Sequence, residues 1–328
     1  MARILVAAMV AASLMPPAAA VAFDLQGHRG ARGLAPENTL PAFTTALAIG
    51  VTTLELDLAM TGDGVLVVSH DRRLNPDHTR APDGKFLEAE GPAIRSLTLA
   101  ELKRYDVGRL KPGSAYAAAF PEQRGMDAVR IPALTEVFDL VRQVQADRVR
   151  FNIETKLTPT AGEEAPDPES FAAALARAVQ EAGIAARTSI QSFDWRTLAV
   201  MRRLAPGIAR VCLSIDGGNG DTLQRGRPGP SPWTAGLDID DFDGSVPRLV
   251  AAAGCAMWSP NYRNLTEATL AESKSLGLTV IPWTVNERAD MVRLIAMGVA
   301  GIITDYPDRL RAVMAEKGGP LPLPVPAR

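Results

Sequence analysis

The sequence contains few cysteines, histidines and aromatic residues. Its 328 residues include two cysteines, three histidines and 5% Phe, Trp and Tyr, and its net charge is −2. Proteins that bind nucleic acids usually present a basic surface or aromatic side chains on which bases stack. Neither feature is evident here, so we expect no nucleic-acid partner.

Long hydrophobic runs are also absent beyond the amino terminus. Residues 1–22 combine a basic start, an apolar stretch at 4–15, a Pro-Pro pair and two A-x-A sites ending at Ala20 and Ala22. The apolar stretch is shorter than the ~20 residues of a spanning helix, which favours a cleaved signal peptide over a retained anchor. The mature chain is therefore expected to be exported without stable membrane insertion. It would be periplasmic in a Gram-negative bacterium and otherwise secreted.

The two cysteines, Cys212 and Cys255, both fall within runs that read as strands. An exported protein allows a disulfide. However, the sequence alone does not show the close Cα approach that a disulfide needs. Two buried thiols are therefore the favoured expectation.

From residue 23 onward, apolar strand-like runs alternate with amphipathic helical stretches. Nine runs are predicted as strands: 23–28, 52–58, 65–69, 150–154, 188–191, 210–214, 255–259, 279–284 and 301–304. The turn at residues 61–64 makes the third run an antiparallel hairpin arm, since a parallel return needs a long crossover. Eight strands remain, which predicts an α/β fold, a TIM (β/α)8 barrel with its site at the carboxyl ends of the strands. A doubly wound open sheet is the alternative, but no G-x-G-x-x-G turn follows the first strand.

Two segments depart from this alternation. An insertion at about 72–130, after the third strand-like run, is rich in proline, glycine and charge. It is either a lid or collar over the barrel mouth or a surface excursion, and both alternatives stay open. The barrel domain is expected to span 23–315. Residues 316–328 carry proline at alternate positions and are predicted to form an extended, flexible tail.

Three carboxylates form a candidate metal site. Glu55 and Asp57 are two apart on a predicted strand, so their side chains share one face, and Glu154 ends another strand. Carboxylates that are close together repel each other unless a cation lies between them. With histidine scarce and cysteine not nearby, an oxygen donor set favours a hard cation, Ca²⁺ or Mg²⁺. Exposed carboxylates without a function are the alternative.

Two histidines follow strand-like runs near these carboxylates. His28 and His70 are therefore candidates for a general acid and a general base, the pair that phosphodiester cleavage requires. The third histidine, His78, lies in the insertion and is expected at the surface. Arg29 and Lys156 offer cationic donors for phosphate oxygens. A salt bridge is the alternative role for Arg29.

Taken together, these residues resemble the glycerophosphodiester phosphodiesterase family. The matching segments, in chain order, are His28-Arg29-Gly30, Pro36-Glu37-Asn38-Thr39, Glu55-Leu56-Asp57, Thr61-Gly62-Asp63-Gly64, His70-Asp71, Ile131-Pro132-Ala133-Leu134, Asn152-Ile153-Glu154-Thr155-Lys156, Gln191-Ser192-Phe193, Trp283-Thr284-Val285-Asn286 and Gly301-Ile302-Ile303-Thr304-Asp305. Ala133 stands where the family usually has threonine. The resemblance spans about residues 26–307 and implies a TIM barrel.

The resemblance also implies an activity and a set of site residues. The residues are the acid–base pair His28 and His70, the metal ligands Glu55, Asp57 and Glu154, and the substrate-binding residues Arg29, Lys156 and Trp283. The implied reaction is metal-dependent hydrolysis of a small glycerophosphodiester to an alcohol and glycerol 3-phosphate, with one divalent cation, Ca²⁺ or Mg²⁺. Trp283 is alternatively a core residue.

Two other functions remain as alternatives. A phospholipase-type phosphodiesterase that acts on intact lipids would need an apolar rim, and no continuous apolar patch is evident at 72–130. A non-catalytic exported phosphoester-binding protein would not need two histidines at strand ends.

Overall fold

The computed structural model describes residues 23–160 and 162–325. The predicted signal peptide, residues 1–22, lies outside the described residues. Within the two described ranges, the structure has no helix of the length and apolar character needed to cross a membrane.

Nine strands in the described part of the chain form one sheet. They are β1 Asp24–Gly27, β2 Thr53–Met60, β3 Leu66–Val68, β4 Arg150–Thr155, β5 Thr188–Ser192, β6 Ala209–Ser214, β7 Met257–Pro260, β8 Thr279–Val280 and β9 Gly301–Thr304. Their order is β8-β7-β6-β5-β4-β2-β1-β9, with β3 paired antiparallel to β2. Backbone hydrogen bonds from Ala300 N to Val280 O and from Ile303 N to Pro282 O join the two ends. The predicted TIM barrel, with eight parallel strands and a hairpin arm, is confirmed.

Helices cover the outside of the barrel. The α-helices of the described residues are α1 Leu40–Ile49, α2 Leu99–Leu102, α3 Ala115–Ala119, α4 Leu134–Gln143, α5 Pro168–Glu181, α6 Trp195–Leu204, α7 Val246–Ala252, α8 Glu267–Ser275, α9 Arg288–Met297 and α10 Pro307–Glu316. Of these, α2 and α3 belong to the insertion rather than to the barrel. Strand β2 shows how this arrangement places the site. Leu54 and Leu56 are fully buried in the main hydrophobic core with Phe43 of α1. Because side chains alternate across a strand, Glu55 and Asp57 face the barrel interior.

The segment after β3 leaves the barrel and packs around a second, smaller core. That core consists of Ala59, Val67, Leu74, Ile94, Leu102, Val107, Val129 and Ile131. The segment also contacts the loop after β1. Tyr116 of α3 donates a hydrogen bond to Glu37, and Gln123 Nε2 donates one to Arg32 O at 2.8 Å. These contacts favour a lid or collar at the barrel mouth over a surface excursion.

Residues 319–325, within the segment predicted as the tail, contain no helix or strand and lie along the barrel. Val325 N donates a hydrogen bond to Leu47 O at 2.8 Å, and Arg311 Nη1 donates one to Pro322 O at 2.7 Å. Leu47 lies near the end of α1, on the opposite side of the barrel from the carboxyl ends of the strands. These bonds dock the described part of the tail at the end of the barrel where the strands begin.

The cysteines form a disulfide, which corrects the expectation of two thiols. Cys212 in β6 and Cys255, just before β7, are bonded with their Cα atoms 5.9 Å apart. Strands β6 and β7 are neighbours in the sheet, so residues separated by 43 positions in the sequence come within bonding distance. The sequence placed both residues near strands but did not show that those strands are adjacent.

We expect loss of this disulfide to lower the free energy of unfolding by about 2–4 kcal/mol, because the bond restricts the unfolded chain. Urea unfolding of the Cys212→Ala/Cys255→Ala double variant measures the change. Wild-type protein unfolded with reductant provides the control, since it loses the bond without losing the sulfur atoms. Equal midpoints for the oxidised and reduced wild type would contradict the prediction.

Candidate active site

Three carboxylates meet inside the barrel near the carboxyl ends of β2 and β4. The parallel register places Asp57 opposite Glu154, and Glu55 lies two residues before Asp57 on the same face. One oxygen from each carboxylate lies within 4.8 Å of the others. All three residues are buried. The predicted carboxylate cluster is therefore present.

Hydrogen bonds orient these carboxylates. Glu55 accepts from Arg29 N at 2.7 Å and from Gln191 Nε2 at 2.8 Å. Asp57 Oδ2 accepts from Asn38 Nδ2 at 2.9 Å. Its other oxygen, Oδ1, is buried and accepts no hydrogen bond from the described residues. A buried oxygen without a donor is costly unless a cation or water binds it.

The pKa values of the three carboxyl groups diverge. Burial, reinforced by the charge of Asp57, raises the pKa of Glu55 well above its usual range. Burial also raises the pKa of Glu154 to about 7, against the opposing charge of Lys156. The pKa of Asp57 is lowered, because Lys156 and Arg29 outweigh its burial. The raised pKa values of Glu55 and Glu154 mean that a proton or a cation near these buried carboxyl groups is favoured over bare charge. The Asp57 oxygen that accepts no hydrogen bond and the all-oxygen donor set fit a hard divalent cation.

The turn after β1 brings Arg29 and His28 to this cluster. Arg29 has a left-handed backbone (φ 50°), which is uncommon for a residue with a side chain. Gly30 follows with φ 83°, and a Cβ there would lie 2.7 Å from the Ala42 carbonyl carbon, so only glycine fits. This strained turn directs the Arg29 N–H at Glu55. It also places the side chains of His28 and Arg29 at the barrel mouth.

Asp305 holds His28 in place. His28 Nδ1 lies 2.6 Å from Asp305 Oδ1, and His28 Nε2 lies 4.0 Å from Glu55 Oε2. A hydrogen on Nδ1, donated to Asp305, leaves Nε2 free to accept a proton in the cavity. Burial lowers the pKa of His28, although the Asp305 carboxylate opposes this shift. Asp305 belongs to one of the segments that resemble the family, but no role was predicted for it from the sequence.

Asp71 holds His70 in the same way. His70 Nδ1 lies 2.8 Å from Asp71 Oδ1, and Asn75 Nδ2 donates to Asp71 Oδ2 at 2.7 Å. The His70 side chain is 32% exposed, whereas that of His28 is 11% exposed. Burial, with the charges of Arg29 and Lys156, lowers the pKa of His70 to about 4. This shift favours the neutral imidazole of His70 at pH 7.

His78 is not the surface residue that the sequence predicted. Its side chain is 15% exposed, and its Nε2 lies 3.7 Å from Asp71 Oδ2. Its ring packs against Tyr116 at a centroid distance of 5.8 Å. Burial would lower the pKa of His78, but the nearby carboxylates of Asp71 and Glu37 raise it overall. The insertion folds back onto the barrel, and this brings His78 next to Asp71.

Arg29 and Lys156 both flank the carboxylates. Arg29 Nη1 lies 2.6 Å from Glu37 Oε1, and its Nε lies 3.2 Å from Asp57 Oδ2. The salt bridge considered as the alternative role for Arg29 is thus present, with Glu37 and with Asp57. Lys156 Nζ lies 2.7 Å from Glu154 Oε1 and 3.7 Å from Asp57 Oδ1.

Trp283 lines the same cavity as Arg29 and Lys156. It is partly buried, packs edge-on against Phe193 at 5.2 Å, and donates from Nε1 to Ser259 O at 2.9 Å. Lys156 Nζ lies 5.7 Å from the Phe193 ring centroid. The cavity is lined by His28, Arg29, Glu55, His70, Glu154, Lys156 and Trp283, among others. Asp57 does not line the cavity but belongs to the carboxylate cluster with Glu55 and Glu154, so the structure brings all eight predicted site residues together. Phe193, like Asp305, was quoted in a matching segment but not recognised as part of the site.

Comparison with known proteins identifies this constellation. The model of the glycerophosphoryl diester phosphodiesterase family matches residues 28–309, which include every one of the predicted site residues. The chain belongs to this family. It is therefore an enzyme, a phosphoric diester hydrolase with glycerophosphodiester phosphodiesterase activity.

Similar proteins agree with this family. A glycerophosphodiester phosphodiesterase of Caldanaerobacter subterraneus is 30% identical and covers 89% of this chain and 97% of its own length. A putative glycerophosphoryl diester phosphodiesterase from Silicibacter pomeroyi has a crystal structure with a TM-score of 0.80 and 35% identity, covering 92% of this chain and 95% of its own. An Oleispira antarctica phosphodiesterase, solved with sn-glycerol-3-phosphate, shares the fold at a TM-score of 0.62 and 22% identity, covering 88% of this chain and 96% of its own.

We expect Asp305→Asn to lower kcat about 10²-fold, since it removes the carboxylate that orients His28. An amide also presents an N–H to Nδ1, which favours the wrong imidazole tautomer. Steady-state kinetics measure the loss. Asp308→Asn, an exposed carboxylate on α10, is the matched control and should leave kcat unchanged. Equal kcat for Asp305→Asn and wild type would show that Asp305 does not position His28.

Proposed function

We propose that the enzyme hydrolyses small glycerophosphodiesters to an alcohol and glycerol 3-phosphate by acid–base catalysis between His28 and His70. The observation that carries this proposal is the placement of two imidazoles, each oriented by its own aspartate, on the wall of one cavity that contains the carboxylate cluster. Phosphodiester cleavage needs a proton acceptor for the nucleophile and a proton donor for the leaving oxygen.

The charge balance supports a divalent cation at Glu55, Asp57 and Glu154. With Glu37, which pairs with Arg29, these three carboxylates make four, and they face two adjacent cations, Arg29 and Lys156, so the fully ionised groups carry two excess negative charges. A divalent ion would balance these two charges. Bound there, Ca²⁺ or Mg²⁺ would neutralise phosphate charge during the reaction.

The two histidines differ in position, which supports different roles. His28 is deeper, and its Nε2 faces the cavity beside Glu55, so we assign it as the base that deprotonates the nucleophile. His70 is more exposed and lies where the cavity opens outward, so we assign it as the acid that protonates the leaving alcohol. A phosphate anion beside His70 raises its pKa and favours the imidazolium needed for that step. The nucleophile is either water or the 2-hydroxyl of the glycerol.

The remaining site residues suit substrate binding. Arg29 and Lys156 lie beside the carboxylates and present N–H donors where the phosphate oxygens would lie. Trp283 and Phe193 form an apolar wall for the glycerol carbons. Each of these residues would contact substrate without taking part in proton transfer.

Deacylated substrates fit this site better than intact lipids. Among the described residues, the large exposed hydrophobic side chains are Met126, Leu204, Leu276, Leu321 and Leu323. Only Met126 belongs to the insertion, so the mouth has no apolar rim that would enter a bilayer. Export is also part of the proposal, and the Cys212–Cys255 disulfide supports it, since such bonds persist in oxidising compartments.

A product assay tests the proposal. The purified mature chain, with Ca²⁺ or Mg²⁺, is incubated separately with glycerophosphocholine and with phosphatidylcholine vesicles, and phosphorus NMR identifies the products. We expect glycerol 3-phosphate from the first substrate and no cleavage of the second. A cyclic phosphate that appears transiently would identify the glycerol hydroxyl as the nucleophile. Cleavage of the vesicles at a similar rate would overturn the assignment to deacylated substrates.

A further inference from the structure

A second groove opens on the outer side of His70. His70 and Asp71 line this groove together with Arg72, Arg73, Glu90 and Glu164, and His70 also lines the catalytic cavity. The imidazole thus separates the phosphate site from the groove. Since the proposed function places the leaving oxygen at His70, the rest of the leaving alcohol extends into this groove.

The groove is lined by charged side chains that pair with each other. Arg73 Nη1 lies 2.7 Å from Glu164 Oε1, and Arg73 Nε lies 3.2 Å from Glu90 Oε2. Arg72 Nε lies 3.8 Å from the other oxygen of Glu164. The groove thus contains three carboxylates, Asp71, Glu90 and Glu164, and two arginines. The carboxylates exceed the arginines by one negative charge. Glu90 is 70% exposed and Glu164 is 37% exposed at the side chain, so both can accept hydrogen bonds from a ligand.

The same groove lacks the surfaces that other leaving groups would need. No Phe, Trp or Tyr and no branched aliphatic side chain lines it among the residues that the structure describes. An acyl chain would therefore remain unburied there. A trimethylammonium group, which has no N–H to donate and is usually held by aromatic rings, would also lack its preferred contacts.

We propose that this groove is the head-group subsite and that it favours alcohols carrying a primary ammonium, such as ethanolamine. This inference rests on the proposed function, because it requires the leaving oxygen to lie at His70. The ammonium of such an alcohol lies two carbon atoms beyond the leaving oxygen and donates charge-assisted hydrogen bonds to Glu90 and Glu164. A neutral polyol gains no comparable attraction from the excess negative charge.

Substrate competition between two head groups tests the subsite. For wild type, we expect a higher kcat/KM with glycerophosphoethanolamine than with glycerophosphoglycerol. The Glu90→Gln/Glu164→Gln variant should lower the ratio of the two kcat/KM values roughly fivefold, mainly through KM, since partly exposed charge pairs have modest strength. The neutral substrate, assayed in the same variant, reports any general loss of folding or catalysis.

A variant of opposite charge and a distant control sharpen the test. Arg73→Gln makes the groove more negative and should raise the same ratio about twofold. Glu272→Gln, which removes the partner of Arg248 at 3.0 Å on the outside of the barrel, should leave the ratio unchanged. High salt should reduce the difference in kcat/KM between the two substrates, because the charges in the groove are accessible to solvent.

The outcomes separate the subsite from the function. A ratio that is the same in wild type and in both groove variants would overturn the head-group subsite while leaving the enzymatic activity in place. A ratio that moves in the same direction in both groove variants would also overturn it. A wild-type chain that cleaves neither substrate would overturn the proposed function and the subsite together.

Discussion

His28→Ala and His70→Ala are each expected to lower kcat roughly 10²–10⁴-fold, the usual contribution of a positioned acid or base. Both side chains line the cavity rather than the hydrophobic core, so the variants should remain folded. Their losses should not add in the double variant, because the two groups act as a unit in one displacement at phosphorus. Turnover of glycerophosphocholine, together with thermal unfolding of each variant, measures both expectations.

A substrate with a good leaving group separates the two roles. An aryl phosphodiester of glycerol releases a phenolate that needs little protonation. His70→Ala should therefore lose much less activity on the aryl substrate than on glycerophosphocholine, whereas His28→Ala should be impaired on both. The reverse pattern would exchange the two assignments. Near-normal turnover of glycerophosphocholine by either variant would remove that histidine from the mechanism.

The sequence predicted the barrel because its local patterns agree with the tertiary fold. On β2, leucines alternate with Glu55 and Asp57, and this pattern specifies one face for the core and one for the site. The turn at residues 61–64 specified the antiparallel hairpin, which the pairing of Leu58 with Val68 confirms. Both features depend on neighbouring residues in the chain, so periodicity and turn chemistry are sufficient to predict them.

Contacts between distant segments were harder to predict. The partnership of His28 with Asp305 spans 277 positions, and that of Glu55 with Gln191 spans 136. Such pairs depend on which strands are neighbours in the closed barrel. Although Asp305 and Gln191 lay in the segments that resembled the family, their roles required the strand order.

The insertion shows the same limit more strongly. His78 was expected at the surface because its segment is polar and rich in proline, yet it packs beside Asp71 and Tyr116. Irregular segments have no periodicity from which a buried face can be read. Their packing is fixed by specific side-chain contacts, here the second small core.

Removal of divalent cations is expected to reduce kcat/KM at least 10²-fold, since a bound cation would contribute several kcal/mol of charge stabilisation. It should also destabilise the protein, because the buried carboxylates then repel each other. Conversely, a cation at 100 times its Kd stabilises the folded chain by about 2.7 kcal/mol. Activity and thermal unfolding after chelation, and after readdition of Ca²⁺ or Mg²⁺, measure both effects.

Asp57→Asn distinguishes a specific site from a general effect of salt. Asp57 carries the buried Oδ1 that accepts no hydrogen bond from the described residues. Replacement of this carboxylate by a carboxamide should therefore remove most of the stabilisation that the cation provides. Asp308→Asn should retain the full shift in unfolding temperature, and sodium chloride at equal ionic strength should not substitute for the divalent ion. Because the unfolding shift is independent of turnover, it reports cation binding even in an inactive variant. Activity that is indifferent to chelation, with no change in unfolding temperature, would overturn the metal assignment.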